Sequence, residues 1–394
     1  MIIKGAKVYT KDHVFEDGII ITKDMIIDKL CLDGDELAGD GSLVCEVSET
    51  EDGDEGEFLD ASGLYAIPGL VDIHFHGASG HDFCDAEIDG LIEIAKYEAE
   101  NGVLAICPAT MTYSEEILGG IMDVARDFVA KEELAQLVGI NMEGPFISPK
   151  RVVAQNPKYL MLPDIKMFER LQERSGGLIK LVDIAPELEG SMEFIEKLSG
   201  SVNISIAHTV CDYETAITAF SKGARHVTHL FNAMPGLTHR EPGPIRAAME
   251  KDAEVELIAD GVHIHPAMVS MAFDSFSEDK IILISDSMEA TGLPDGEYQL
   301  GGQKVTVNGN RAVLSDNRDT IAGSVTNLFD CMKTAIGMGI NRELAIRAAT
   351  ENPAVSIGIG DKYGSISEDY FANIVFLDEG FNIVHILNRG KLIK

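Results

Sequence analysis

Two histidines, His74 and His76, stand two residues apart in "LVDIHFHGASGHDF", a stretch that otherwise reads as a buried strand and carries Asp72 just before them. Side chains of a strand alternate between its faces, so positions 72, 74 and 76 project together. A lone buried histidine is more often a hydrogen-bonded core residue than a ligand. A pair is different. Two adjacent imidazoles repel when protonated and leave costly unpaired polar atoms when neutral, unless a cation sits between them.

Further ligand-competent side chains lie along the chain, each at the end of a short apolar run. They are Glu143 in "QLVGINMEGP", His208 in "VNISIAHT", His229 in "RHVTHLFNA", His263 in "VELIADGVHIH" and Asp286 in "KIILISDS". Any one of them alone could be an innocent loop residue. Imidazole and carboxylate donors without a thiolate favour zinc, or a similar divalent first-row ion, in an open catalytic site. Glu143, His208 and His229 would supply three ligands and leave a position for water. Such an ion lowers the pKa of a bound water to roughly 7 and polarises a carbonyl, which points to hydrolysis of an amide or related C–N bond. Asp286 is the carboxylate placed to serve as general base.

These residues converge only if the elements carrying them do. Past residue 62 the chain alternates short β-branched runs with amphipathic stretches such as "DGLIEIAKYEAENG", "EEILGGIMDVARDFVAK" and "YETAITAFSKG", the pattern of parallel strands joined by crossover helices. The strand runs number eight: the six stretches quoted above together with "VLAICPAT" and "IKLVDIAPE". Eight such units predict an α/β fold of the (β/α)8 TIM-barrel type over residues 63–359, a fold whose catalytic groups sit at the carboxyl ends of the strands. The flanks behave differently. Residues 1–62 and 360–394 alternate with strand period and carry turn signals, predicting a small β-sandwich domain built from both termini. The hairpin-like "DGEYQLGGQKVTVNGNRAVL" fits either unit.

Composition narrows the function. A formal charge of −33 over 394 residues argues against a nucleic-acid or anionic-membrane surface, because phosphate backbones are bound by Lys and Arg. The N-terminus alternates like a strand rather than a signal peptide, no apolar run reaches the roughly 18 residues of a membrane span, and a cytoplasmic protein is expected. The six cysteines are scattered and read as reduced thiols. Much of the negative charge lies between Glu46 and Asp60, read as a solvated acidic loop. The glycine-rich "IGMGINRE" and "SIGIGDKYG" follow helices rather than strands, so they do not mark a dinucleotide site, and no Walker or Gly-x-Ser-x-Gly sequence occurs.

The His-x-His, the later histidines and the final aspartate resemble the metal-dependent amidohydrolase superfamily. Within it the words "MEGPFISPKR", "THLFNAMPGLTHREPG", "ADGVHIHP", "SDSMEATGLPDGEY" and "TIAGS" closely resemble the N-acetylglucosamine-6-phosphate deacetylase family, in order from about Ile2 to Lys391. The resemblance implies one or two divalent ions per subunit, zinc first, with iron, manganese, cobalt or nickel as alternatives. Glu143, His208 and His229 would hold the principal ion, and His74 and His76 a second. It implies that Asp286 takes a proton from the attacking water and passes it to the leaving amine. Asn232, Ala233 and His263 would contact sugar and phosphate, Arg240 would reach the phosphate across the two-fold of a homodimer, and the loop at Ile321 would offer a backbone contact. Ala154 and Gln155 lie in "VAQNP", where many relatives have histidine at the second of these positions; glutamine there can bind and polarise a carbonyl but cannot carry a proton.

The implied reaction is hydrolysis of N-acetyl-D-glucosamine 6-phosphate to D-glucosamine 6-phosphate and acetate, with the galactosamine epimer as the nearest alternative. A cyclic-amide hydrolase is disfavoured because "DIAPE", at the end of the fourth strand run, has no metal-bridging lysine. A silent scaffold would have no need of an intact ligand set.

Overall fold

The computed structural model describes residues 1–32 and 57–394. The expectation for the acidic segment falls largely outside these residues, as does Cys45. The last part of that segment, Phe58–Asp60, is a strand that pairs in parallel with Ile2–Tyr9.

The fold is α/β. Eight short parallel strands follow one another in chain order: Leu70–Asp72, Val103–Ile106, Ile140–Glu143, Ile179–Ile184, Asn203–Ile206, His226–Val227, Glu254–Ile258 and Ile281–Ile284. Six of them, from Ile140–Glu143 onward, form one sheet, and the first two form another with Gln136–Leu137. A parallel bridge between Ala109 and Asn141 links the two sheets. The run also meets itself at its ends: the Asp286 amide donates to the His74 carbonyl (2.9 Å) and the His76 amide to the Ser287 carbonyl (2.7 Å).

Every residue of Val103–Ile106 and Ile281–Ile284 is buried. Strands covered on both faces read as unbroken apolar runs, which is why they were legible in the sequence. The helices between them start at local caps. Ser114 accepts from the Ile117 amide ahead of Glu115–Asp127, and Asp212 accepts from the Thr215 amide ahead of Tyr213–Ser221. Helices Leu328–Gly337, Arg342–Ala349 and Glu351–Ser356 end this part of the chain.

Both termini contribute to a separate eight-stranded sheet, in which Tyr65–Pro68 lies between Ile2–Tyr9 and Ile374–Leu377. It has its own apolar cluster, including Ile3, Val8, Ile20, Ile27, Ile374 and Phe376. The hairpin-like segment belongs to neither set. Gly296–Leu300, Gln303–Asn308, Arg311–Leu314 and Asn317–Ile321 make a four-stranded antiparallel sheet of their own. Its inner face, through Leu300, Val305 and Ala312, packs with Met111, Ala154, Met288 and Ala290.

Three expectations need correction. "LVDIHFHG" is a strand only to Asp72, so the histidine pair stands just beyond it, where the backbone turns to bond with the segment after the eighth strand. "QLVGINMEGP" is broken into Gln136–Leu137 and Ile140–Glu143, which pair with different neighbours. Of the cysteines, Cys84, Cys107, Cys211 and Cys331 are free thiols as expected, whereas Cys31 is disulfide-bonded.

Candidate active site

Six of the side chains singled out above meet at one point. Oε1 of Glu143 lies 3.0 Å from His208 Nε2, 3.3 Å from His229 Nε2 and 3.6 Å from His74 Nε2. Its other oxygen lies 3.5 Å from His76 Nε2. Oδ1 of Asp286 completes the group, 3.4 Å from His76 Nε2 and 3.8 Å from His74 Nε2. All six residues are buried, and they come from the carboxyl ends of the first, third, fifth, sixth and eighth strands.

Three of the six hold backbones in the left-handed region, with φ of 43° at His208, 30° at His229 and 50° at Asp286. Non-glycine residues pay about 1–3 kcal/mol for such a conformation, and it persists only where neighbours over-determine it. At Asp286 the neighbours are visible: its amide is bound by the His74 carbonyl, and its own carbonyl accepts from the Ser324 amide at 2.7 Å. Gly323 adjoins this contact at φ 65°, and a Cβ there would stand 3.1 Å from the Asp286 carbonyl oxygen. Glycine in "TIAGS" is therefore required by close approach as well as by conformation.

Burial works against the charged form of Glu143, yet hydrogen bonds from His208 and His229 and the charge of His74 hold its carboxyl well below the ordinary range. Burial also opposes the charge on Asp286, and its bond with His76, with the nearby imidazoles, overcomes this and lowers it. Both are carboxylates at neutral pH.

The donor set suits a divalent ion. His74 Nε2 is buried without a hydrogen-bond partner among the described residues, and His208 Nε2 and His229 Nε2 face each other at 3.2 Å. Ligand atoms of His74, Glu143 and His229 lie within 4.8 Å of one another, and so do those of His74, His76 and Asp286. Imidazole and carboxylate without sulfur match zinc and its first-row neighbours.

A cavity of about 320 Å³ opens above this floor. Ala154, Gln155, Asn232, Ala233, His263 and Ile321 line it, together with Met111, Leu300, Asp319, Thr320 and Gly323. Gln155 is fixed at both ends: its Oε1 accepts from the Thr112 amide at 2.6 Å, and its Nε2 donates to Glu143. His263 is held through Nδ1 by Asp260 at 2.7 Å. Burial opposes protonation of His263, but that bond and the Asp260 charge raise its pKa above the ordinary histidine value. Arg240 is not in the cavity. It is exposed on the loop after Ala233 and forms no ion pair, with the adjacent Glu241 or any other residue, among the described residues.

Residues 65–393 match the model of the amidohydrolase family. The chain belongs to this family. Among curated relatives, the N-acetylglucosamine-6-phosphate deacetylase of Bacillus subtilis is 38% identical over 83% of this chain and 84% of its own length. The N-acetylgalactosamine-6-phosphate deacetylase of Escherichia coli O157:H7 is 32% identical over 82% of this chain and 86% of its own. Among solved structures, a variant of the N-acetyl-D-glucosamine-6-phosphate deacetylase of Mycobacterium smegmatis, in complex with N-acetyl-D-glucosamine-6-phosphate, is 27% identical, covers 100% of this chain and 99% of its own, and superposes with a TM-score of 0.87. Members of the amidohydrolase family use a divalent metal, in agreement with the donor set described above.

Several residues of the site were not singled out in the sequence. Glu256, in the middle of a strand, receives His74 Nδ1 at 2.9 Å and the His229 amide at 3.0 Å on one oxygen. A carboxylate inside the apolar run "VELIAD" was its only signal. Gln303 donates to the Ala154 and Gln155 carbonyls from the antiparallel sheet, a contact no local pattern announces.

Proposed function

We propose that this chain hydrolyses N-acetyl-D-glucosamine 6-phosphate to D-glucosamine 6-phosphate and acetate with a divalent metal ion, zinc first among the candidates. The observation that carries the reading is the meeting of Glu143, His208, His229, His74, His76 and Asp286 on the floor of a cavity walled by Gln155, Asn232 and His263. The names of the relatives support the substrate.

Glu143, His208 and His229 would hold the principal ion, with His74, His76 and Asp286 around a second. Held there, a divalent ion would supply polarisation of the acetamide carbonyl and a lowered pKa for water. Asp286, a buried carboxylate, accepts the proton of the attacking water at Oδ1. As the new C–O bond forms and the C–N bond breaks, the same oxygen returns the proton to the sugar nitrogen. Gln155, with one amide hydrogen on Glu143, keeps the second free for the acetyl group. His263 and Asn232 meet the sugar and its phosphate. Arg240 serves the site of a neighbouring copy in a cytoplasmic homodimer, which is in keeping with its exposure outside its own cavity.

In this reading the parallel strands close as a (β/α)8 barrel over residues 63–359, supported by the hydrogen bonds between the segments that follow the first and last strands. Residues 1–62 and 360–394 make the accessory β-sandwich, supported by the terminal sheet and its separate apolar cluster.

The Escherichia coli relative favours a second reading, the galacto epimer as substrate. The test is acetate release by the purified protein from both 6-phosphates, with unphosphorylated N-acetylglucosamine as control and metal content measured on the same sample. A higher kcat/KM for the gluco compound supports the proposal. A higher value for the galacto compound replaces the substrate, and no release from fully metallated protein overturns the reaction.

A further inference from the structure

We propose that Glu256 is a positioning residue that commits His74 to a second divalent ion, a role that rests on the metal-dependent reading above. Glu256 is fully buried on the seventh strand. Its Oε2 lies 2.9 Å from His74 Nδ1 and accepts the His229 backbone amide at 3.0 Å. A carboxylate oxygen can only accept, so the proton between them belongs to Nδ1 of His74.

That choice of tautomer turns the opposite ring nitrogen into the acceptor. Nε2 of His74 is buried, has no hydrogen-bond partner among the described residues, and points at two further acceptors, Glu143 Oε1 at 3.6 Å and Asp286 Oδ1 at 3.8 Å. Three lone-pair groups aimed at one another are tolerable only with a cation among them. A carboxylate behind a ligating imidazole fixes the ring and raises its basicity, and losing such a partner typically weakens metal binding by about 10–100-fold.

The same oxygen holds His229 by its backbone, so one side chain links the imidazole of the second ion to the strand end that carries a ligand of the first. A merely structural Glu256 would affect both ions alike. A positioning Glu256 acts on the His74 side alone, because the charge it supplies is passed through the ring of His74, whereas its contact with His229 is to the main chain.

The test measures zinc binding to the ion-free full chain by calorimetry and elemental analysis, for wild type, E256Q, H74A and the double variant. E256Q keeps the shape and an oxygen that can accept both hydrogen bonds but removes the charge. The expected result is two ions in wild type, with the second bound about 10–100-fold more weakly in E256Q and the first unchanged. In the H74A background E256Q is expected to add nothing further. Equal affinities for both ions in E256Q and wild type overturn the role, as does an equal loss of both. One ion in wild type, or two at full affinity in H74A, overturns the two-ion reading itself. A measurement on wild type alone stands if E256Q does not fold: nitrogen-15 spectra of the zinc-loaded chain are expected to show His74 protonated at Nδ1, and a proton at Nε2 overturns the proposal.

Discussion

The backbone amide of Asp286 donates to the backbone carbonyl of His74 at 2.9 Å, so the proposed base and a proposed ligand are latched together main chain to main chain. The latch sets the position of the Asp286 carboxyl without using any atom of its side chain. Replacing that side chain should therefore leave the geometry standing. D286N is expected to lower kcat by about 10²–10⁴-fold while the protein retains its principal ion. Acetate release and elemental analysis on one preparation check this, and near-normal turnover would show that another group moves the proton.

Removal of metal offers a second check. Dialysis against a chelator is expected to abolish acetate release, and added zinc, or another divalent first-row ion, to restore it. Because the ligands come from five different strands, ion binding should also raise Tm, in proportion to the logarithm of free ion above its dissociation constant. Unchanged Tm and activity after complete demetallation would contradict the assignment of the site.

Arg240 gives a third prediction, one that tests geometry between copies. Losing a charge-assisted contact to phosphate costs about 1.5–3 kcal/mol, so R240A should raise KM for the 6-phosphate by at least about tenfold. Co-refolding R240A with D286N should then recover activity, since a hybrid dimer would contain one site with an intact Asp286 and the partner's intact arginine. Failure to recover would place Arg240 in the service of its own chain.

Glu98 is the subject of the fourth. This helix residue is fully buried, and neither carboxylate oxygen has a hydrogen-bond partner among the described residues. Burial, with the nearby Asp72 charge, pushes its pKa well above the ordinary carboxylate value. The folded state thus binds a proton that the unfolded chain releases once pH passes the ordinary glutamate range. Its contribution to stability is fully present at low pH and is lost as pH rises. E98M should accordingly stabilise the fold by about 1–3 kcal/mol, with the gain growing from near pH 4 toward pH 8. Thermal melts across that range read it directly; a gain that shrinks with pH would be inconsistent with a protonated Glu98.

What could be read from the sequence follows from what each residue touches. Strands such as Ile281–Ile284 are buried on both faces, and an unbroken apolar run reports that burial without knowledge of the neighbours. The six residues at the cavity floor were visible because their side-chain types are expensive to bury unless they act together. Glu256 escaped notice because one carboxylate in "VELIAD" has the same local appearance whether it lies at an edge or behind an imidazole. The antiparallel sheet of Gly296–Ile321 was seen as hairpins but not as a cavity wall, since alternation reports which face is apolar and not what it covers.

That sheet stands over the cavity as one uninterrupted stretch of chain, held by its own ladder and gripping the loop at Ala154 through Gln303. None of the six floor residues lies within it. One wall of the cavity is therefore a single contiguous segment, separate in the chain from every residue at the floor. Rewriting some 25 contiguous residues would reshape that wall while leaving every floor residue unchanged.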